Sequence, residues 1–211
     1  EQTTTLEPDI CTCHDAGIDY KVSGQGWQNR GEGVKISDLI MYEGEKESEA
    51  DHRYVGGGEI DEYRISPENK WLRHDYSSFI EGDVVIQVYP KYTEVPEKIL
   101  TRQTSDTLVG AIDTNEYYTA KSVHTTLLNN PDYDLWYVLS LVNSSVLRYV
   151  YELQSGEEGR TFPQVRIHEL RDLPIRRIAF DSCEKEPSNR SSSIYEHFQS
   201  KDPSIDIEQI V

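Results

Sequence analysis

Three short stretches of this chain carry side chains suited to hydrogen bonding with base edges or phosphates. Arg102-Gln103 joins a guanidinium fork, which fits guanine bidentately, to an amide, which fits adenine in the same way. Lys121, Ser122 and His124 supply further donors. Gln164 and Arg166 stand two apart, so on an extended strand both project from one side. An ordinary use competes with this one. In an acidic chain, Arg102 and Arg166 also suit surface ion pairs.

Other constellations are weaker. Cys11-Thr12-Cys13-His14 offers three soft metal ligands, but the fourth would have to be distant Cys183 or another His, and paired Cys-x-x-Cys spacing is missing. Structural cysteines are the expectation. Asp61 with Glu68-Asn69-Lys70 has the residue types of a metal-dependent nuclease, yet in a chain of 38 acids a surface turn around Pro67 is expected. Ser122 and His124 lack an identifiable acidic orienter and do not form a triad. Gly24-Gln25-Gly26-Trp27-Gln28-Asn29 lacks the third glycine of a dinucleotide fingerprint. Asn130-Pro131-Asp132-Tyr133 has Asp132 where the Asn-Pro-Pro-Tyr loop of adenine methyltransferases needs its second proline, so a turn leading into a helix is expected. Catalytic residues and metal ligands are therefore assigned to none of these positions.

Composition sets the outer bounds. The chain has 211 residues, 36% hydrophobic and 28% charged, with 14 Tyr and 3 Trp, which is globular rather than disordered composition. No run of apolar residues is long enough to span a membrane. Three cysteines and no signal-peptide pattern suggest a cytoplasmic protein with reduced thiols. The opening Glu-Gln-Thr-Thr-Thr lacks an initiating Met, which suits a segment of a longer protein. A net charge of −17 opposes contact with phosphates, but it is unevenly spread. Residues 1–95 carry 20 acidic and 9 basic side chains, whereas residues 96–180 carry 11 and 9. The candidate donors lie in the least acidic part.

These donors need elements to hold them. Val84–Tyr89 is rich in β-branched residues and stops at Pro90, so it reads as a strand. Lys98–Arg102, Thr107–Ile112 and Glu116–Ala120 are three further short runs, with a turn at Asp113-Thr114-Asn115. Val34, Ile36, Leu39, Ile40 and Tyr42 suggest another strand, and Ile60, Tyr63 and Ile65 a return to the sheet. Leu135, Val138, Leu139, Val142, Val146, Tyr149, Val150 and Leu153 recur at spacings of three and four, predicting one helix over 134–153 that ends near Gly156 and Gly159. Residues 17–33 read as a glycine-rich loop or hairpin. A mixed α/β (α+β) domain over 1–180 is expected, followed by a polar tail over 181–211 with at most a short helix near Ile194 to Phe198.

An ordered series of segments carries a resemblance. Lys98–Thr104, Tyr117–His124, Leu141–Ser144, Gly159–Ile167 and Leu173–Ile175 occur in this order, preceded by Asp15–Tyr20, Val22–Trp27, Tyr42–Glu45, Gly58–Ile65 and Trp71–Arg73. The series resembles the target-recognition (specificity) domain of TaqI-like adenine DNA methyltransferases and of the related fused type IIG restriction–modification enzymes, and spans about residues 10 to 180. Gly56-Gly57-Gly58 departs from it, standing where a more basic segment is expected. The resemblance implies twisted β-sheets with few helices and sequence-specific recognition of double-stranded DNA, with Arg102, Gln103, Lys121, Ser122, His124, Gln164 and Arg166 as DNA-binding residues. It also implies that a catalytic methyltransferase domain of the parent protein flips and methylates the target adenine at N6. S-adenosylmethionine would then belong to the parent, with magnesium if that parent also carries an endonuclease, and this segment would hold neither. Two alternatives stay open: the recognition domain of a specificity subunit in a multi-subunit restriction system, and an acidic protein-interaction module. The first needs long coiled-coil spacers, and only 134–153 is amphipathic here.

Overall fold

The computed structural model describes residues 4–22, 35–155 and 164–175. The glycine-rich stretch around Trp27, the glycines at 156 and 159, Cys183 and the expected tail lie outside the described residues. Strands β1 (Thr4–Thr5), β2 (Cys11–His14) and β3 (Asp19–Val22) come first. They are followed by α1 (Ile36–Ile40), β4 (Met41–Glu43), β5 (His52–Val55), β6 (Ile60–Asp61), β7 (Arg64–Ile65), β8 (Lys70–Leu72) and β9 (Val84–Gln87). Next are α2 (Pro90–Thr93), β10 (Lys98–Arg102), β11 (Gly110–Asp113), β12 (Tyr118–Thr119) and β13 (Val123–Leu128). Helices α3 (Leu135–Val142), α4 (Ser145–Ser155) and α5 (Ile167–Arg171) precede the last strand, β14 (Pro174–Ile175). Many short strands and few helices make a mixed α/β fold, as expected.

The central sheet is antiparallel, in the order β11-β10-β13-β2. Both of its faces are covered, and the alternation of β10 shows how. Ile99 joins Leu6, Ile10, Val138, Leu139 and Tyr151 in the cluster beneath the helices. Leu100 points the other way, to Val55, Ile60, Ala111 and Val123. Lys98 is buried on the Leu100 side, where its ammonium lies 2.7 Å from the buried Asp113 carboxylate and donates to the Thr93 carbonyl at 2.6 Å. A second four-stranded sheet, β12-β5-β8-β4, mixes parallel and antiparallel pairing. β3 and β9 pair separately.

Three sequence expectations are corrected. Residues 36–40 form a helical turn rather than a strand. A strand would put Asp38 on the same face as Ile36 and Ile40, whereas a helix buries the two isoleucines one turn apart against Leu72, Val84 and Ile86 and leaves Asp38 out. Tyr63 does not enter a sheet. It occupies the turn of the β6–β7 hairpin with φ 61° and its ring exposed. The helix expected over 134–153 is two helices, broken at Asn143-Ser144. The Asn143 amide donates to the Gly110 carbonyl and accepts from the Gly110 N–H, both at 2.9 Å. Ser144 Oγ accepts from the Leu147 N–H at 3.1 Å and so starts α4. The Leu141–Ser144 motif is therefore a clamp between helix and sheet.

Candidate functional site

Backbone pairing brings the candidate donors to one end of the central sheet. β2 runs out at His14, and the chain turns through Asp15-Ala16-Gly17 before β3. At Gly17 it passes so close to Ala120 that a Cβ would lie 2.6 Å from the Ala120 carbonyl oxygen, which leaves glycine as the residue that fits. The Ile18 N–H then donates to the Thr119 carbonyl at 2.7 Å, and Ile18 bridges Ala120 in parallel. This contact lays Asp15 and Asp19 alongside the start of β13. A cleft of about 280 Å³ opens between them, lined by Asp15, Gly17, Asp19, Tyr89, Gln103, Lys121 and Val123.

Two expected residues, Gln103 and Lys121, line this cleft. Gln103 follows β10, and its backbone is clamped on both sides: its N–H donates to the Ser122 carbonyl at 2.8 Å and its carbonyl accepts from the Val165 N–H at 2.7 Å. Its half-buried side-chain amide bonds to none of the described residues. Lys121 is 61% exposed, with its ammonium 2.8 Å from Asp19. The geometry thus offers an amide and an ammonium on a fixed backbone, beside two carboxylates and a tyrosine.

His124 occupies a different position from the one its sequence suggests. Its ring is buried beneath the cleft, with Nε2 2.7 Å from the Val165 carbonyl and Nδ1 2.5 Å from Asp15. It contacts no solvent and can reach no base. The acidic orienter that spacing concealed is Asp15, 109 residues upstream. Val165 ties Gln164 and Arg166 to the same end of the sheet. Both are exposed, and Arg166 stands at the start of α5 with its guanidinium 3.7 Å from Glu169. These two residues lie on a short extended approach to a helix rather than on a strand.

Arg102 and Ser122 serve the scaffold. Arg102 Nη2 donates to the Ile60 carbonyl at 2.5 Å and lies 3.3 Å from Asp61. Ser122 Oγ accepts from the Gly57 N–H at 2.9 Å. A Cβ on Gly57 would sit 2.9 Å from the Ser122 carbonyl oxygen and 3.2 Å from Arg102 Cγ. The glycine run departs from a basic segment because the backbone must press against these two residues. The guanidinium expected to read guanine holds the β6 backbone in this structure.

The remaining constellations resolve locally. The Cys11 and Cys13 thiols are free and buried in the core, and burial pushes their pKa values to about 12 and about 11. His14 stacks on Tyr92 with ring centres 3.7 Å apart. Lys70 pairs with Glu68 and Glu59, while Asp61 faces Arg102, so the nuclease-like set does not converge. Among the described residues no group of three or more His, Cys, Asp or Glu is placed to hold a metal ion. Asp132 N–H donates to Asn130 Oδ1, and Asp134 caps α3 through the N–H groups of Trp136 and Tyr137. That stretch is the expected turn into a helix.

The model of the TaqI-like C-terminal specificity domain family matches residues 52–175, more than half of the chain. The chain belongs to this family. No curated protein matches it. Membership makes the chain a DNA-recognition domain of the TaqI-like methyltransferase type. The matched span of this specificity domain includes Gln103, Lys121, His124, Gln164 and Arg166, but Asp15, Gly17 and Asp19 precede it. Sequence reasoning missed Asp15, Asp19 and Tyr89 as lining residues. Asp15 and Asp19 carry one signal in the sequence, their place in the resembling segment Asp15–Tyr20. No helix among the described residues is long and apolar enough to cross a membrane.

Proposed function

We propose that this specificity domain selects the duplex sequence at which an adenine-N6 DNA methyltransferase of a restriction–modification system acts, and that it is itself non-catalytic. The observation that carries this reading is the cleft at the end of the central sheet, where Gln103 presents its amide from a backbone held at both N–H and carbonyl. A side-chain amide presented there can bond adenine N6 and N7 together, while the exposed Lys121 ammonium supplies a phosphate contact. Gln164 and Arg166 extend the surface from the adjoining segment. S-adenosylmethionine belongs to the catalytic domain of the same polypeptide, as does magnesium where an endonuclease is fused in the type IIG manner. Work on chromosomal DNA puts the protein in the cytoplasm.

Selection from a pool of random duplexes, with the full chain at low salt, tests this. Recovered duplexes converge on one consensus, and binding weakens as salt rises. Recovery of unrelated sequences, or of none, would overturn the assignment and favour an acidic protein-interaction module. Calorimetry with S-adenosylmethionine is expected to show no binding to this chain, and micromolar affinity would contradict the non-catalytic reading.

A further inference from the structure

We infer that Asp15 is a specificity-determining residue whose carboxylate accepts the exocyclic amino group of an adenine or a cytosine, and that buried His124 is the positioning residue that aims it. The inference rests on the DNA-reading function proposed above. It begins with hydrogen-bond inventory. The Val165 carbonyl can only accept, so His124 Nε2, 2.7 Å away, carries a proton and donates it. An ionised carboxylate can likewise only accept, so Nδ1 donates to Asp15 Oδ1 at 2.5 Å. The hydrogen bond from His124 is the largest influence on the Asp15 carboxyl and holds it below its ordinary range, with Arg171 and Lys121 adding to the effect. Asp15 is therefore held as an acceptor, and both ring nitrogens of His124 are bonded.

A buried imidazole ring is costly to maintain unless both its nitrogens are bonded, and here both are. What it holds is a side chain that remains 60% exposed. Among the described residues, Asp15 Oδ2 has no partner, and the carboxylate opens onto the cleft next to Gln103. The fold thus fixes one oxygen and leaves the other for a ligand. An acceptor with full negative charge repels phosphates, and in the major groove it also repels guanine O6 and thymine O4. Cytosine N4 and adenine N6 are the groups that attract it. Such a carboxylate discriminates twice, by attraction to amino-bearing bases and by repulsion of keto-bearing ones.

The test is duplex selection with the full chain and its Asp15 and His124 variants, each checked for folding by thermal melting. Wild type is expected to require adenine or cytosine at one position of one strand, and which of the two appears identifies the base read. Asp15→Ala should lose that requirement, by about tenfold to a hundredfold in relative affinity, and keep the rest of the consensus. Asp15→Asn can still accept from His124 through its amide oxygen and turns an N–H toward the cleft, so preference at that position of the strand should invert to guanine or thymine. His124→Gln retains a donor toward Asp15 and should keep selectivity there, whereas His124→Leu should lose it at that base pair alone. An unchanged consensus in both Asp15 variants, or changes spread over every position, would overturn the inference while leaving the DNA-reading function standing. Failure of wild type itself to select any sequence would sink both.

Discussion

Among the described residues, two histidine–aspartate pairs are built in opposite senses. In the first, His124 is buried and Asp15 is presented to the cleft at 60% exposure. In the second, Asp51 is 2% exposed and His74 stands outside at 47%. Asp51 is saturated. It accepts from Tyr42 Oη at 2.5 Å, from the backbone N–H groups of Ser48 and His74, and from the His74 ring at 2.8 Å. Those donors belong to three separated stretches, so the carboxylate ties the Tyr42–Asp51 turn to the end of β8. Asp15 has one fixed oxygen and one left over. The same two residue types make a structural hub where the acid is inside and a binding group where the histidine is inside.

The largest expected effect comes from breaking the hub. Asp51→Ala leaves Tyr42 and two backbone N–H groups without their acceptor and should cost about 3 kcal/mol in stability, read as a drop in the urea midpoint. Asp15→Ala orphans a single buried group, Nδ1 of the His124 ring, and should cost less, about 1–2 kcal/mol. Equal losses from the two variants would erase the contrast between hub and presented group.

Acid separates the pairs more finely. Burial alone would raise the Asp51 carboxyl, but the hydrogen bonds from Tyr42, from the His74 ring and backbone and from Ser48 outweigh it and hold the group well below the usual carboxylate range. A folded-state pKa below the unfolded one contributes stability that is fully present above the unfolded value, about 4, and is lost as pH falls through the folded value. Melting temperature should therefore drop below about pH 4, and Asp51→Asn should flatten that drop because it removes the titrating group. An acid profile that Asp51→Asn leaves unchanged would show that another carboxylate governs it.

Much of this was legible in the sequence, and the limits have physical causes. The β-branched run at 84–87 announced a strand whose alternate residues Val84 and Ile86 are buried, and Lys98–Arg102 is a strand buried on both faces. The break at Asn143 was hidden, since the apolar period of three and four continues through it while one asparagine turns aside to bond a strand 33 residues earlier. Among the residues chosen by side-chain chemistry, Gln103 and Lys121 line the cleft. His124 was found for the wrong role, because its partner lies 109 residues away and local spacing carries no trace of it. The scaffold contact of Arg102 was hidden for a related reason: the carbonyl it holds belongs to Ile60, which only the folded sheet brings near.

Arg102 sharpens the division between scaffold and reader. Its hydrogen bond to Ile60 and its contact with the exposed Asp61 together predict that Arg102→Ala costs about 1 kcal/mol in stability. The selected DNA consensus should stay intact. Loss of specificity at a guanine, with stability unchanged, would restore Arg102 as a base reader and weaken the case that the cleft does the reading.

Lys121 should show the smallest effect, and it tests the cleft from its rim. Its ammonium is 61% exposed and pairs with Asp19 at 2.8 Å, an ion pair worth little in water. Lys121→Ala should thus leave stability within about 0.5 kcal/mol of wild type. In DNA binding it should weaken every sequence alike and lower the salt slope by about one, the signature of a single lost phosphate contact. A base-specific loss instead would place Lys121 among the reading groups beside Asp15. In that case the Asp19 carboxylate, freed from its partner, would become the next group to substitute, because it would then present an acceptor to the same cleft.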